Sequence, residues 1–250
     1  MFMDAADTYE FQYQGQTLRG NGGPIRLAGR HYPNVIRLTL DGDSSHVLPR
    51  KIILKKKGDC GGDSEGDSEN GDSSELRFEN ERKFYEEMRS LQSCGHVPNY
   101  HGLASIDGSP ALVLCDLGGT ALLHRPSLSL DEEGLRGNLR KLLEAVGRAG
   151  VKHEDISVLN VLHCEDGRLR LIDFEFSSIG HTFDEEELNQ DLDMEVDGLV
   201  DSLKLRYEAQ EDQKAFLGRD ASVRASSGGY KSNGIIESEL NARFRNDLTT

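Results

Sequence analysis

His153-Glu154-Asp155-Ile156-Ser157-Val158-Leu159-Asn160, followed by Leu171-Ile172-Asp173-Phe174-Glu175, is the stretch on which the reading of this chain turns. Its pattern is H-x-D-x-x-x-x-N, with a further aspartate thirteen residues on, at the end of an apolar run. Each of these residue types answers a need of phosphoryl transfer, where catalysis is mostly positioning and charge neutralisation. A carboxylate beside the attacking hydroxyl orients it and accepts its proton, and Asp155 stands where that group is needed. An amide oxygen and a second carboxylate hold Mg²⁺ against the phosphates, and Asn160 and Asp173 supply them. Between them Val161-Leu162-His163 and Arg168-Leu169-Arg170-Leu171-Ile172 read as two strands joined at Asp166-Gly167, a hairpin that brings Asn160 and Asp173 together.

Upstream, a helix is expected over about 130–149. Ser129 and Glu132 form a capping box, Leu135, Leu139, Leu142, Leu143 and Val146 recur at helical spacing, and Gly150 ends it in a left-handed cap. Ala111 to Cys115 reads as a buried strand stopped by Asp116, and Pro98 to Gly102 as a turn. Residues 76–92 read as a helix with Phe84, Tyr85, Met88 and Leu91 on one face. Glu81 falls on that same face, where an unpaired carboxylate is costly. Tyr9 to Tyr13, Val35 to Leu40 and Lys51 to Lys55 read as strands, with Gly20, Gly22 and Gly23 as turn residues. Residues 58–75 hold no large apolar residue and are expected as a disordered acidic loop, whose removal gains or loses about 1 kcal/mol at most. A further helix fits 193–206, and from 207 on a mostly flexible tail is expected, with a helical turn near 236–245.

The motif resembles the catalytic core of the protein-kinase-like superfamily, most closely its short, divergent members in filamentous fungi. The Ile172-Asp173-Phe174-Glu175 run departs from the usual D-F-G and is similar to choline-kinase and aminoglycoside-phosphotransferase relatives. The resemblance covers about 50–205 and is densest over 150–176. It implies an α+β, bilobal kinase-like fold: a β-rich N-lobe over 1–114, a reduced, mostly helical C-lobe over 115–206, and the tail. It implies that Lys55, ending the strand Ile52-Ile53-Leu54, holds the α and β phosphates, with Lys57 as the rival by alternation. Glu81 is then the partner of Lys55, and backbone groups from Cys115 to Leu117 bond adenine. Two departures stand against it: no G-x-G-x-x-G is present, and the region beyond 206 lacks the helices and the A-P-E that hold peptide substrates. His153 is expected to pack under the catalytic loop and orient it.

The net charge of −15 is concentrated in two runs without a base, seven acids over 58–76 and nine over 182–203, leaving the rest near neutral. No broad basic face follows, so nucleic acid is not an expected partner. The four cysteines show no C-x-x-C pair, and the remaining histidines show no metal spacing. No apolar run has the length of a signal peptide or a membrane span, so no membrane partner is expected and the expected compartment is cytoplasmic or nuclear. The expected function is ATP- and Mg-dependent phosphotransfer to a protein hydroxyl, with Lys55, Glu81, Asp155, Asn160 and Asp173 as the polar set. Two alternatives stay open: a pseudokinase acting as an interaction module, and a small-molecule kinase.

Overall fold

The computed structural model describes residues 7–27, 30–58, 71–124 and 131–226. Most of the acidic insert, Ser129 of the expected capping box and the tail from 227 on, with its expected helical turn, lie outside the described residues. Its packing divides the chain into two units, Met1–Lys204 and Leu205–Thr250.

Strand β4 (Lys51–Lys56) shows how the first unit is built. Ile52 and Leu54 alternate with Ile53 and Lys55, and the first two are fully buried while the others face the opposite side. The same alternation in β1 (Asp7–Tyr13), β3 (Arg30–Leu40) and β6 (Ser109–Cys115) turns Phe11, Tyr13, Ile36, Leu38, Leu40, Ala111 and Val113 toward one interior. Strand β2 (Gln16–Leu27) contributes Leu18 and β5 (Tyr100–Ile106) contributes Ala104 and Ile106. All six are joined antiparallel in the order β1-β2-β3-β4-β6-β5, and β1 closes the ring against β5 at Gln12↔Ser105 and Tyr13↔Ala104. Tyr13 seals the seam by donating its hydroxyl to the His101 carbonyl at 2.6 Å.

This closed six-stranded barrel replaces the bilobal kinase-like arrangement implied by the motif, and the chain carries four α-helices among the described residues. The physical reason lies in β1. An edge strand leaves a row of unpaired backbone groups, and pairing the first strand with β5 removes that edge. Alternation marks each strand without revealing which one it pairs with.

Helix α1 (Gly71–Glu87) begins inside the segment expected as a disordered loop, and a short α2 (Arg89–Ser93) follows. Gly20, Gly22 and Gly23, expected in turns, lie within β2. Tyr100 and His101, also expected in a turn, open β5.

The rest of the first unit holds β7 (Thr120–Ala121), β8 (Val151–Lys152), β9 (Val161–His163), β10 (Leu169–Leu171) and β11 (Ser178–Ile179). They form a three-stranded sheet, β10-β9-β7, and a pair, β11-β8. Helix α3 (Glu132–Arg148) is capped by Asp131, whose side chain accepts from the Gly134 amide. Its five-residue apolar stripe is buried, and Gly150 follows it at φ +75°. Helix α4 (Glu185–Ser226) starts before the expected 193 and extends into the segment expected as a tail; its part beyond Lys204 belongs to the second unit. Among the described residues no helix is long and apolar enough to cross a membrane.

Candidate functional site

Register places Lys55 on the outer face of the barrel, between Val35 of β3 and Leu112 of β6. Residue 55 shares the parity of the half-buried Ile53, opposite Ile52 and Leu54 inside, so the barrel core sets its direction. Helix α1 supplies the partner. Phe78, Phe84 and Tyr85 bury one helix face, and Glu81 lies on it with 1% exposure. The Lys55 Nζ lies 2.6 Å from Glu81 Oε2, 2.5 Å from Asp173 Oδ1 and 3.7 Å from Glu175 Oε2.

These four groups form one electrostatic unit. Burial works against the Lys55 ammonium, but Glu81 and Asp173 more than offset it and hold its pKa well above the ordinary lysine value. Burial pushes the Glu81 carboxyl up; Lys55 opposes that and Asp173 reinforces it. The rival Lys57 instead meets Glu75 at 3.1 Å.

Asp173 is brought to Lys55 by the hairpin and by an aromatic stack. The Phe174 ring lies parallel to Phe84 with centroids 3.6 Å apart, edge-on to Tyr85, and meets His153 at 4.7 Å. The Phe174 amide points to Glu81 Oε1 at 3.4 Å, and Asn80 Nδ2 holds the carbonyls of Glu175 and Ser177. Asp173 itself has φ +68°, a left-handed conformation that costs a non-glycine residue roughly 1–3 kcal/mol. Strain of that kind persists where surrounding contacts over-determine the backbone, as the Phe174 stack and the Asn80 clamp do here.

The loop 153–160 joins the same centre. Asn160 Nδ2 donates to the Asp155 carbonyl at 2.9 Å and to its carboxylate at 3.0 Å. The Ile172 amide donates to the Asn160 carbonyl at 2.9 Å, tying Asn160 to the strand end that carries Asp173. His153 Nε2 lies 3.0 Å from the Ile172 carbonyl, and burial lowers its pKa, so the neutral ring donates there. That geometry fits an orienting role. Asp155 itself is solvent-exposed.

Of the residues expected at an adenine edge, Cys115 spends its amide on the Asn99 carbonyl at 2.9 Å, and Leu117 is half-buried just beyond β6. Sequence reasoning missed Glu175 and Asn80. Glu175 stands two residues after Asp173, past the end of β10, and Asn80 precedes the buried Glu81, which were the available signals. Glu81, Asp173 and Glu175 offer carboxylate oxygens that all lie within 4.8 Å of one another. Oxygen donors of this kind suit a hard divalent cation. Comparison with known protein families and with curated proteins found no match to this chain.

Proposed function

We propose that this chain binds ATP with Mg²⁺ and transfers the terminal phosphoryl group to a hydroxyl, most simply that of a protein. The observation that carries the reading is Lys55, a buried ammonium held between Glu81 and Asp173 on the barrel face and joined through the hairpin to the Asp155–Asn160 pair. In this reading Lys55 meets the α and β phosphates, and half-buried Val35 and Ile53 beside it offer apolar surface to the base. Asp155 takes the acceptor's proton as the new O–P bond forms; the bond from the terminal phosphorus to its bridging oxygen breaks and ADP leaves. Asn160 uses its amide N–H to hold the Asp155 carboxylate, which leaves its side-chain oxygen, with Asp173, to hold Mg²⁺. The metal supplies charge neutralisation on the phosphate oxygens.

A second reading, an interaction module without turnover, draws on one observation. Lys55 already closes the cluster against Asp173, so the four charged groups also make sense as a structural lock.

The experiment is transfer from radiolabelled ATP by the purified protein, with and without Mg²⁺, beside a thermal shift. Binding confined to the folded state adds about 2.7 kcal/mol at a ligand concentration one hundred times Kd. Mg-ATP is expected to raise Tm in the wild type and not in Asp173→Ala. No shift at millimolar Mg-ATP overturns the nucleotide reading. A shift without transfer to protein or small alcohol acceptors selects the interaction module.

A further inference from the structure

Glu154, the residue immediately before Asp155, has φ +62°. In that left-handed region glycine is unstrained and a residue with a Cβ is not. The loop thus carries a glutamate where backbone preference alone favours glycine. Its side chain is exposed, so no packing holds it in place. Among the described residues its one partner is Ser178, whose hydroxyl donates to Glu154 Oε1 at 2.5 Å.

Ser178 is held in turn. Its hydroxyl oxygen lies 2.8 Å from His181 Nε2. A hydroxyl has one hydrogen and a carboxylate only accepts, so the Ser178 hydrogen goes to Glu154, and His181 Nε2 carries the hydrogen donated to Ser178. The His181 ring stacks on Phe183 with centroids 5.7 Å apart. The backbone beneath is pinned as well. Ser178 and Ile179 of β11 pair with Lys152 and Val151 of β8, and the amides of Gly180 and His181 both donate to the Gly150 carbonyl, at 2.9 and 3.0 Å. A Cβ on Gly150 would lie 2.9 Å from the His181 carbonyl oxygen, so the two segments approach this closely only with glycine there.

The same tie reaches the cation centre. The Ser177 amide and hydroxyl both donate to the Phe174 carbonyl, at 3.1 and 2.7 Å, and Asn80 Nδ2 donates to the Ser177 carbonyl at 2.7 Å. The segment from Asp173 to Ser178 is therefore fixed, and Glu154 fastens the Asp155 loop to its far end. Asn160 holds the Asp155 carboxylate from one side, and Glu154 holds the backbone turn from the other.

We propose that Glu154 is a positioning residue for Asp155: tied through Ser178 to His181, its carboxylate fixes the left-handed turn that presents Asp155 to the acceptor hydroxyl. The assignment rests on Asp155 being the base of the phosphotransfer reading. A general base acts only within hydrogen-bond reach of the proton that it takes, and small misplacements of a reacting group cost rate steeply. Glu154 itself takes no proton from the acceptor and meets no phosphate.

Turnover of radiolabelled Mg-ATP, read as transfer to dephosphorylated casein and to water, tests this beside calorimetric binding of Mg-ATP. In Glu154→Gly, Glu154→Ala and Ser178→Ala, kcat is expected to fall about ten- to hundredfold, while Kd and KM for Mg-ATP stay within about twofold. Glu154→Gln keeps an oxygen that accepts from Ser178, so it is expected to retain kcat within about threefold. Glycine takes φ +62° without strain, so Glu154→Gly is expected to melt no lower than Glu154→Ala; lost turnover without lost stability separates positioning from fold. Hydrogen exchange at the amides of 154–156 reads the tie directly. Faster exchange is expected in Glu154→Gly and Ser178→Ala, and wild-type exchange in Glu154→Gln. A wild type that turns over and a Glu154→Gly that matches it overturn this assignment alone. So does a Glu154→Gln as slow as Glu154→Gly. A wild type that binds Mg-ATP without turnover overturns the phosphotransfer reading, and this assignment with it.

Discussion

At Lys55 an ammonium faces three carboxylates, and the balance explains both its burial and its charge. Its pKa is raised, so the stabilisation from its charged form is complete below the ordinary lysine value of 10.5 and is lost progressively as pH rises from there through the folded value. Asp155 stands outside this lock. Asp155→Asn nearly preserves size and its bond with Asn160, so transfer is expected to fall by about two orders of magnitude or more while ATP affinity changes less than about threefold. Radiolabel transfer and calorimetry on the same preparations check this; undiminished transfer removes Asp155 as the base. Tyr85 shows the opposite economy: its hydroxyl is buried without a hydrogen-bond partner among the described residues. Burial, with Glu81 and Asp173 nearby, raises its pKa well above 10, and burial with Glu86 pushes Tyr100 up to about 12. Below pH 10 these hydroxyls are protonated in the folded and unfolded chain alike and the shifts contribute nothing. Between pH 10 and 12 the unfolded chain releases protons that the folded one keeps, so stability falls as pH rises. Tyr85→Phe is expected to gain about 1 kcal/mol in urea unfolding at neutral pH and to lose less on going to pH 11. A less stable Tyr85→Phe would mean the hydroxyl is satisfied after all.

Among the elements, α3 and α4 show how apolar and ionic contacts divide the work. The acids of 182–203 form a run without a base, and several face basic residues of α3: Arg136 pairs with Asp197, Arg140 with Asp193 and Asn189, and Arg148 with Glu185 at 2.8 Å. Beneath them lie the buried Leu139, Leu142 and Val146 of α3 and the buried Leu188, Leu192, Val196 and Leu199 of α4. The ion pairs are exposed, and exposed pairs contribute little. Arg140→Ala is therefore expected to cost under about 1 kcal/mol, with the difference shrinking at 1 M salt. Leu139→Ala, at a fully buried position, is expected to cost about 2–5 kcal/mol with no such salt dependence. Urea unfolding of both variants at low and high salt makes the comparison. A large, salt-sensitive loss in Arg140→Ala would reverse the ranking.

For the whole molecule the decisive contact is the seam between β1 and β5, because it turns a sheet into a barrel. Phe11, 1% exposed, sits inside beside Leu18 and Ile106, and Tyr13 pins the seam. Phe11→Ala is expected to cost about 3–5 kcal/mol, since it empties the core next to the closing pair. Hydrogen exchange tests the location of the damage: amides of β1 and β5 are expected to lose protection before those of β4. Uniform loss across all six strands would mean that the seam is no weaker than the rest.

The chain's local chemistry was open to reading from its residues. Alternation in 9–13, 35–40 and 51–55 identified strands, the leucine stripe identified α3, and the placing of Glu81 beside Phe84 and Tyr85 identified a buried carboxylate in need of a cation. Period and spacing carry that information because side-chain direction repeats every two residues in a strand and every 3.6 in a helix. The Lys55–Glu81 pair follows from the cost of an unpaired buried charge, so it too was legible. Partner choice was not. Gly20, Gly22 and Gly23 look like turn residues, yet β2 runs through them, because Gly22 must pass against the Arg37 carbonyl where no side chain fits. The start of α1 inside an acidic segment and the part played by Glu175 depend on neighbours distant in sequence. By itself the sequence determined which residues are apolar, which face each turns inward, and which charges need partners. Only the tertiary structure decided that β1 returns to pair with β5 and close a barrel, because that pairing is made between backbone groups, and backbone hydrogen bonds carry no side-chain signature.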